Sequence, residues 1–457
     1  MSIPKNCTVL VIGGGPAGSY AASVLAREGI DTVVLEAEEF PRYHIGESLL
    51  PSVRYFLDFI DCYDKFNAGG FLRKNGATFK FNSKQPGYTD FVGAGGAGNH
   101  AWNVLRSEAD EILFRHAEQS GATVFDGVKV QALDFAPTIS NTDTKQEGQD
   151  QGLSRRPVSA TWNRKKDGST GTIHFEYLVD VSGRTGLMSN RYMKTRIHNK
   201  QLQSMALWGY WRGAGTYGPG EGIRSPRPGA ELVSSEIKAA ADWSYSASTY
   251  AHPFTRVAGD AACFIDPLFS SGVHLAMTGG LSAAVTICAS LRGDCTEEEA
   301  GEWHSSKVGE AYTRFLLVVR SAMEQIHGRE KAVLKGLDEA NFNVAFDHFR
   351  PIIQGTVDAG GKLTQAEVDR SVEFCTRVIR KVESGCLANL DSSQAAEFTA
   401  RGAAATYSES SQCDEVMMKM VRMNRILDLN SFTVDIVNGM APNIERGTLG
   451  LVKQVTA

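Results

Sequence analysis

The sequence predicts an α/β fold, and three observations lead to this prediction. The chain opens with a β-branched run that passes directly into a glycine-rich turn and a helical segment, as a parallel strand of an α/β sheet does. Further strand-like segments recur as far as Gly259. After Arg292, apolar residues recur at spacings of three and four, which indicates helices. We therefore expect a Rossmann-like domain, a mixed β-sheet region and a C-terminal helical region.

The first residues, TVLVIGGGPAGSYAASVLAREG, have the pattern of a dinucleotide-binding unit. Residues 8–12 form the expected first strand, and Gly13, Gly15 and Gly18 give the spacing G-x-G-x-x-G. In this spacing the glycines allow a tight turn, a close approach of the backbone to a pyrophosphate, and close packing of helix on strand. On its own, such a spacing can also be a plain tight turn.

The segment after this turn strengthens the prediction. The helix that begins at Pro16 is expected to end at Gly29, because glycine commonly follows the last helical residue. A second strand over 32–35 then ends at Glu36, where an acid can bind ribose hydroxyls. The whole pattern predicts dinucleotide binding, and it fits FAD and NAD equally.

Composition excludes several classes of function. The 457 residues carry a formal net charge of -5, which gives no electrostatic footprint for nucleic acid. We expect no membrane span, since no apolar run approaches the length needed, and no secretory signal, since the chain enters a strand pattern at once. The eight cysteines contain no C-x-x-C pair, which favours reduced thiols in the cytoplasm over disulfides or a metal site.

Four further motifs follow in order along the chain. They are FPRYHIGESLLPS at 40–52, Arg106 ahead of an amphipathic helix, Asp-x-Ser-Gly-Arg at the end of a strand within 175–186, and Gly259-Asp260. With this ordered set the chain resembles the FAD-dependent aromatic hydroxylase and halogenase superfamily. The resemblance implies that Gly259 and Asp260 bind the ribityl and pyrophosphate region of FAD, and that the next helix points at the flavin ring.

Finer details resemble the fungal flavin-dependent halogenases that chlorinate phenolic polyketides in secondary metabolism. They are PRYHIGESLLPS, RKNGATFKF, IDPLFSSGVHLAMTG and NFNVAFDHFRPIIQGT. In that family reduced FAD, O₂ and halide give hypohalous acid, which reaches a lysine beside the substrate. The resemblance therefore implies FADH₂ supplied by a separate flavin reductase, chloride, and a small phenolic substrate.

The same resemblance implies a set of site residues. The FAD contacts would be Gly13, Gly14, Gly15, Ala17, Gly18, Glu36, Glu47, Arg106, Gly259, Asp260 and Val273. Chloride would be held by the backbone N–H groups of Ser271 and Gly272, at a helix N-terminus where anions bind. The alternative is that Ser271 only caps the helix while Gly272 relieves strain.

Lys74, in the motif Lys-x-Gly-Ala, is the catalytic residue that the resemblance implies. A lysine can hydrogen-bond hypochlorous acid or form a chloramine, and burial would tune its basicity. The alternative is a solvated lysine on a turn. His274, next to the chloride loop, is expected to be packed and hydrogen-bonded rather than catalytic.

The middle of the chain departs from the halogenase pattern. No W-x-W-x-I-P motif lies between Arg184 and Gly259; Trp208 and Trp211 have the wrong spacing. We expect a shortened middle segment, with residues 218–235 forming a joining loop. Two alternatives to a halogenase stay open: a flavin aromatic hydroxylase, or a non-catalytic flavin-binding protein.

The predicted organisation has three parts. The FAD-binding domain is discontinuous (1–135, 172–200 and 251–292), the substrate-side sheet takes 72–100 and 201–250, and the C-terminal helical region takes 293–457. Residues 137–156, polar and without periodicity, are expected to be a surface insert between strands. An apolar stripe from Val308 to Ile326 predicts a packed helix, and Phe342, Phe346 and Phe349 would pack or line an aryl pocket.

Overall fold

The computed structural model describes residues 2–79, 87–137, 155–213, 215–217, 223–225, 229–233, 236–327 and 436–454. The helices in this part of the chain are α1 (Pro16–Arg27), α2 (Val53–Phe59), α3 (Tyr63–Ala68), α4 (Phe91–Gly95), α5 (Arg106–Gln119), α6 (Gly272–Arg292) and α7 (Glu297–His327). The strands up to β10 are β1 (Asn6–Ile12), β2 (Thr32–Leu35), β3 (Leu72–Lys74), β4 (Gly76–Phe79), β5 (Gly87–Asp90), β6 (Ala101–Asn103), β7 (Thr123–Phe125), β8 (Val128–Pro137), β9 (Arg155–Arg164) and β10 (Thr170–Asp180). The remaining strands are β11 (Arg196–Trp208), β12 (Trp211–Arg212), β13 (Gly215–Tyr217), β14 (Ile223–Ser225), β15 (Glu231–Leu232), β16 (Lys238–Ala247), β17 (Ala251–His252), β18 (Thr255–Val257), β19 (Met440–Asn443) and β20 (Gly450–Lys453).

A mixed sheet forms the centre of the fold. Its order is β17-β18-β10-β1-β2-β7, and the β8–β9 hairpin joins it through antiparallel pairing of β9 with β10. β1 runs parallel to both β2 and β10, so its apolar side chains are buried on both faces. The predicted α/β fold is confirmed, including the strands over 8–12 and 32–35 and a helix that ends just before Gly29.

Helices α1 and α6 pack closely on one side of this sheet. A Cβ on Gly280 of α6 would lie 2.7 Å from the carbonyl oxygen of Ala17 in α1, so only glycine permits this approach. α6 is long and apolar enough to cross a membrane, contrary to the sequence-based expectation, but 89% of its most apolar window is buried inside the protein. Its apolar character is therefore that of a helix in the core.

A smaller, two-stranded sheet lies on the substrate side. β11 and β16 pair antiparallel, with Met205 opposite Ala241 and Gln203 opposite Trp243. One face leaves Met205 and Trp243 exposed, at 69% and 49% of their surface. From the opposite face Ser204 donates a hydrogen bond to Asp266, a few residues before α6, which ties the sheet to that segment.

The carboxy-terminal part is described only at its two ends. α7 confirms the predicted packed helix, with Val308, Phe315 and Val319 buried. The β19–β20 hairpin, which the sequence analysis did not anticipate, contacts α6 near Arg292. Phe342, Phe346 and Phe349 lie outside the described residues. The predicted insert begins where β8 ends and stops where β9 begins, and its residues 138–154 also lie outside the description.

Candidate active site

The glycine turn between β1 and α1 has two kinds of glycine. A Cβ at Gly13 (φ +118) would collide with the Val181 carbonyl oxygen, and a Cβ at Gly18 would collide with the carbonyl oxygen of Gly13. The backbone geometry alone therefore requires glycine at both positions, whether or not a cofactor binds. Gly15 has an ordinary φ of -71, and the nearest atom to its Cβ would be an Arg42 guanidinium nitrogen at 3.4 Å. The space in front of Gly15 fits a closely approaching pyrophosphate.

Glu36 stands at the end of β2, beside this turn. Its carboxylate accepts hydrogen bonds from the backbone N–H of Gly14 at 2.5 Å and of Glu38 at 2.9 Å. Packing requires glycine at position 14 as well, since a Cβ there would lie 2.7 Å from the Phe114 ring. A buried carboxylate fixed in this way keeps lone pairs for further donors, and the contact of Glu36 with ribose hydroxyls stays a prediction.

Arg106 begins α5 and fastens the segment over 43–52, which we name the strap. It donates two hydrogen bonds to Asp110, at 2.8 and 3.0 Å, and one to the carbonyl oxygen of Ile45 at 2.9 Å. Arg42, just before the strap, was given no role from the sequence. Its guanidinium is largely buried next to Gly15 and lies 3.1 Å from the Asp110 carboxylate. A cation at the pyrophosphate position is the signal that sequence reasoning overlooked.

The late motif lies against the same turn. Gly259 has φ +59, and a Cβ on it would lie 3.1 Å from the Cβ of Ala17, so the two motifs meet at the start of α1. Asp260 is half-buried, and desolvation raises its pKa. The Tyr245 hydroxyl donates to the Asp260 carbonyl oxygen at 2.6 Å and fixes this turn. The structure thus brings together the two motifs that the resemblance assigned to FAD.

The predicted chloride turn lies at the start of α6. Ser271 occupies the N-cap position, but its side chain makes no capping hydrogen bond, and its buried Oγ has no hydrogen-bond partner among the described residues. A Cβ on Gly272 would meet nothing within 4 Å, and Gly272 does not have a positive φ. The alternative interpretation, a serine cap and a strain-relieving glycine, is therefore wrong. The turn therefore offers a buried hydroxyl at a helix N-terminus, with open space beside Gly272.

The two residues after this turn are both buried. Val273 packs in the core cluster that contains Ala17. The His274 Nδ1 lies 2.8 Å from Ser52 Oγ, and its ring meets the edges of Phe56 and Phe315. The expectation of a packed, hydrogen-bonded histidine is confirmed.

Lys74 ends β3 and turns its amine toward the strap. Its Nζ donates to Ser48 Oγ at 2.9 Å and to the Leu49 carbonyl oxygen at 3.1 Å, and lies 5.4 Å from the centre of the Phe91 ring. Burial lowers the pKa of Lys74 to about 8. The alternative of a solvated lysine on a turn is therefore wrong, and about a tenth of the amine is neutral at pH 7.

Glu47 lies on the strap between the FAD-binding domain and the substrate-side sheet. Its carbonyl oxygen accepts a hydrogen bond from the Val104 N–H at 2.8 Å. Its charge contributes to the raised pKa of Tyr210, about 12, whose first cause is the hydrogen bond with Tyr43. Trp208 also donates to the Tyr43 hydroxyl, at 2.9 Å, which completes an aromatic cluster that the sequence analysis did not identify.

The comparisons with known proteins agree with this site. The sequence model described as tryptophan halogenase matches residues 8–98. The flavin-dependent halogenase ascD of Acremonium egyptiacum is 44% identical, over 99% of this chain and 94% of the relative. The sulochrin halogenase gedL of Aspergillus terreus is 44% identical, over 100% of this chain and 95% of that one. The solved structure of the flavin-dependent halogenase CmlS, at 23% identity and a TM-score of 0.61, covers 83% of this chain and 78% of its own, which shows a shared fold.

The relatives are longer within the aligned region. The alignment with ascD spans 522 positions, whereas this chain has 457 residues, so at least 65 positions (522 − 457) have no counterpart here. This difference supports the prediction of missing residues. Their location between Arg184 and Gly259, and the loss of the W-x-W-x-I-P motif with them, stay predictions.

Identity of 44% over nearly the full length of both chains establishes common family membership. The family uses FAD in its reduced form, with chloride as the halide and a small aromatic compound as the organic substrate. The space at Gly15 and the fixed carboxylate of Glu36 fit that cofactor. The chain is an FADH₂-dependent oxidoreductase and belongs to the flavin-dependent halogenases.

Proposed function

We propose that this halogenase chlorinates an electron-rich phenol of the polyketide type, and that Lys74 transfers the halogen. The observation that carries the role of Lys74 is its amine, half-buried against the strap with a pKa lowered to about 8. The proposed substrate class is supported by the relative whose name gives sulochrin as its substrate.

The proposed chloride site consists of the Ser271 hydroxyl and the first amides of α6. Chloride is monovalent and weakly hydrated, so a few donors at a helix start are enough to bind it. The buried Ser271 Oγ, for which the described part of the chain offers no hydrogen-bond partner, supports this role, because buried polar atoms in native proteins are nearly always hydrogen-bonded. The open space over Gly272 leaves room for the ion.

Lys74 then acts as a nucleophile in this proposal. Bound FADH₂ supplies the electrons with which O₂ and chloride give hypochlorous acid. The neutral amine of Lys74 forms an N–Cl bond while the O–Cl bond breaks, and a proton from the amine joins the released hydroxide as water. The aromatic carbon next takes the chlorine, the N–Cl electrons return to nitrogen, and the ring proton restores the amine.

The proposal also covers the source of the reduced flavin, the cellular location and the surface that binds the phenol. A separate flavin reductase would supply FADH₂, because the G-x-G-x-x-G over 13–18, which joins the parallel strand β1 to the helix α1, is committed to FAD. The absence of C-x-x-C pairs supports a cytoplasmic location. The aromatic cluster of Tyr43, Trp208 and Tyr210 lies where the strap meets the substrate-side sheet, and such rings suit the binding of a planar phenol.

An aerobic assay tests this function directly. The purified protein receives FAD, a flavin reductase with NADPH, a panel of phenols, and either chloride or bromide, and products are identified by mass spectrometry. Halogenated phenols that require added halide support the proposal. Hydroxylated products without halide, together with substrate-stimulated NADPH oxidation in the absence of reductase, would indicate a hydroxylase. Bound reduced flavin that yields no modified product would indicate a non-catalytic protein.

A further inference from the structure

The register of a three-stranded arrangement explains how Lys74 reaches the strap. β3 pairs with β6 so that Lys74 lies opposite Ala101. The strap pairs with the same strand, through the Ser48–Asn103 bridge and the hydrogen bond from Leu49 N–H to the Trp102 carbonyl oxygen. The buried Ala101 has a small side chain, which leaves room for the long lysine side chain to approach the strap.

The contacts of Lys74 fix the direction of its amine. Ser48 Oγ and the Leu49 carbonyl oxygen both accept hydrogen bonds from Nζ, at 2.9 and 3.1 Å. A neutral amine has two N–H bonds and one lone pair. When both N–H groups donate to the strap, the lone pair occupies the one direction that is left.

We propose that Ser48 is a positioning residue for halogen transfer: with the Leu49 carbonyl oxygen, its hydroxyl turns the lone pair of the Lys74 amine away from the strap and toward the incoming oxidant. This inference rests on the proposed function of Lys74. In this proposal Ser48 contacts neither the oxidant nor the phenol; it acts by orienting the Lys74 amine, to which it is hydrogen-bonded.

The electrostatic surroundings make this effect measurable. The charged or titratable groups on the neighbouring segments are Tyr43, His44 and Glu47 on the strap, Arg73 in β3, Asp90 before α4 and His100 before β6. Desolvation, rather than any of these charges, accounts for the lowered pKa of Lys74. Ser48 Oγ, as an acceptor, favours the ammonium form, so removal of this hydroxyl should lower the pKa further.

The test compares Ser48→Ala with Ser48→Thr, which keeps the hydroxyl, and with Ser159→Ala, which removes a serine hydroxyl that bonds Asp134 in the β8–β9 hairpin. The Lys74 pKa is followed by NMR titration of ¹³C-lysine protein, with the signal assigned by its loss in Lys74→Arg. Ser48→Ala should lower that pKa by about one unit. Measured at about pH 10, where the Lys74 amine is neutral in every variant, Ser48→Ala should lower kcat for chlorinated phenol about tenfold or more, with the phenol KM and flavin reoxidation unchanged.

The variants separate the possible outcomes. Ser48→Thr should restore both the pKa and kcat, and Ser159→Ala should change neither. An unchanged Lys74 pKa and kcat in folded Ser48→Ala protein would overturn the inference. A lower pKa with unchanged kcat would also overturn it, because the hydrogen bond would then have no positioning role. Because the NMR titration needs no turnover, failure of the wild-type protein to halogenate would count against the proposed function and remain distinguishable from failure at Ser48.

Discussion

The hydroxyl of Ser52 lies 2.8 Å from His274 Nδ1, and this contact joins the strap to the start of α6. The same strap holds Lys74 through Ser48. The amine proposed to transfer halogen and the turn proposed to hold chloride are therefore attached to one short segment, which is in turn fastened by Arg106. A change at either attachment should alter the distance between the two centres.

Substitution of two neighbouring glycines should separate cofactor binding from folding. Gly15→Val should leave the melting temperature close to that of wild type, since φ is -71 and only the end of the Arg42 side chain is nearby, yet it should abolish FAD binding. Gly13→Ala should unfold the domain, because of its positive φ and the collision with Val181. Calorimetry and flavin fluorescence measure both properties; wild-type FAD affinity in Gly15→Val would refute the cofactor assignment.

Removal of the lysine amine should uncouple oxidant formation from halogenation. Lys74→Ala should bind FAD and reoxidise reduced flavin at nearly the wild-type rate, yet lose chlorinated product by at least about a hundredfold. Lys74→Arg should fail as well, because a guanidinium stays charged and is a poor nucleophile. Stopped-flow absorbance follows the flavin, and mass spectrometry follows the product.

The pH dependence gives a check on the same residue. With a pKa of about 8 for Lys74, the rate of halogen transfer should rise as pH increases through that value, because the neutral amine is the reacting form. Single-turnover product formation, measured under conditions where flavin oxidation is complete, reports this rise of the rate with pH. If the rate instead falls over the same pH range, the ammonium form is the active one, and Lys74 acts as a hydrogen-bond donor to the oxidant.

The chloride turn should respond to two small substitutions. Ser271→Ala removes a buried hydroxyl without a partner among the described residues, so stability should change little while the KM for chloride rises about tenfold. Gly272→Val places a side chain in open space, so the fold should tolerate it while chloride use is lost. The halide dependence of product formation measures both effects. Unchanged chloride KM values in both variants would place the halide elsewhere.

A buried histidine far from the chemistry should govern part of the acid sensitivity. Desolvation and then Arg256 lower the pKa of His304 to about 3, from an ordinary value of 6.5. The unfolded chain takes up this proton below about pH 6.5, so the stabilising contribution is present above that pH and is lost as pH falls toward about 3, by up to about 1.4 kcal/mol per pH unit. The buried Asp180 and the half-buried Asp260, whose pKa values are raised by desolvation, act in the opposite direction.

The contribution of His304 is therefore measured as a difference between two proteins. In His304→Gln, the free energy of unfolding in urea should depend less steeply on pH, between about pH 7 and about pH 5, than in wild type. A parallel dependence in the two proteins would show that His304 does not carry this proton.

The parts of the fold that sequence predicts well are those fixed by local rules. The strand, glycine turn and helix around Gly15 follow from spacing alone, and burial of α7 follows from its apolar period. The contact between Lys74 and Ser48 could not be predicted, because it depends on how two distant segments align along β6. The same holds for Arg42, whose place beside Gly15 depends on the path of the loop after β2. The β19–β20 hairpin is formed by residues whose partner surface, α6, is remote in sequence.

The close packing of Gly280 against Ala17 also has a consequence for cofactor selection. Because α1 and α6 are held in contact, the turn proposed to bind pyrophosphate and the turn proposed to bind chloride stand at a fixed span. FMN lacks the adenosine half of FAD and would leave Glu36 without the ribose that we expect it to bind. We therefore expect the protein to select its cofactor by length, through a contact between two helices in which neither residue uses a side-chain polar group.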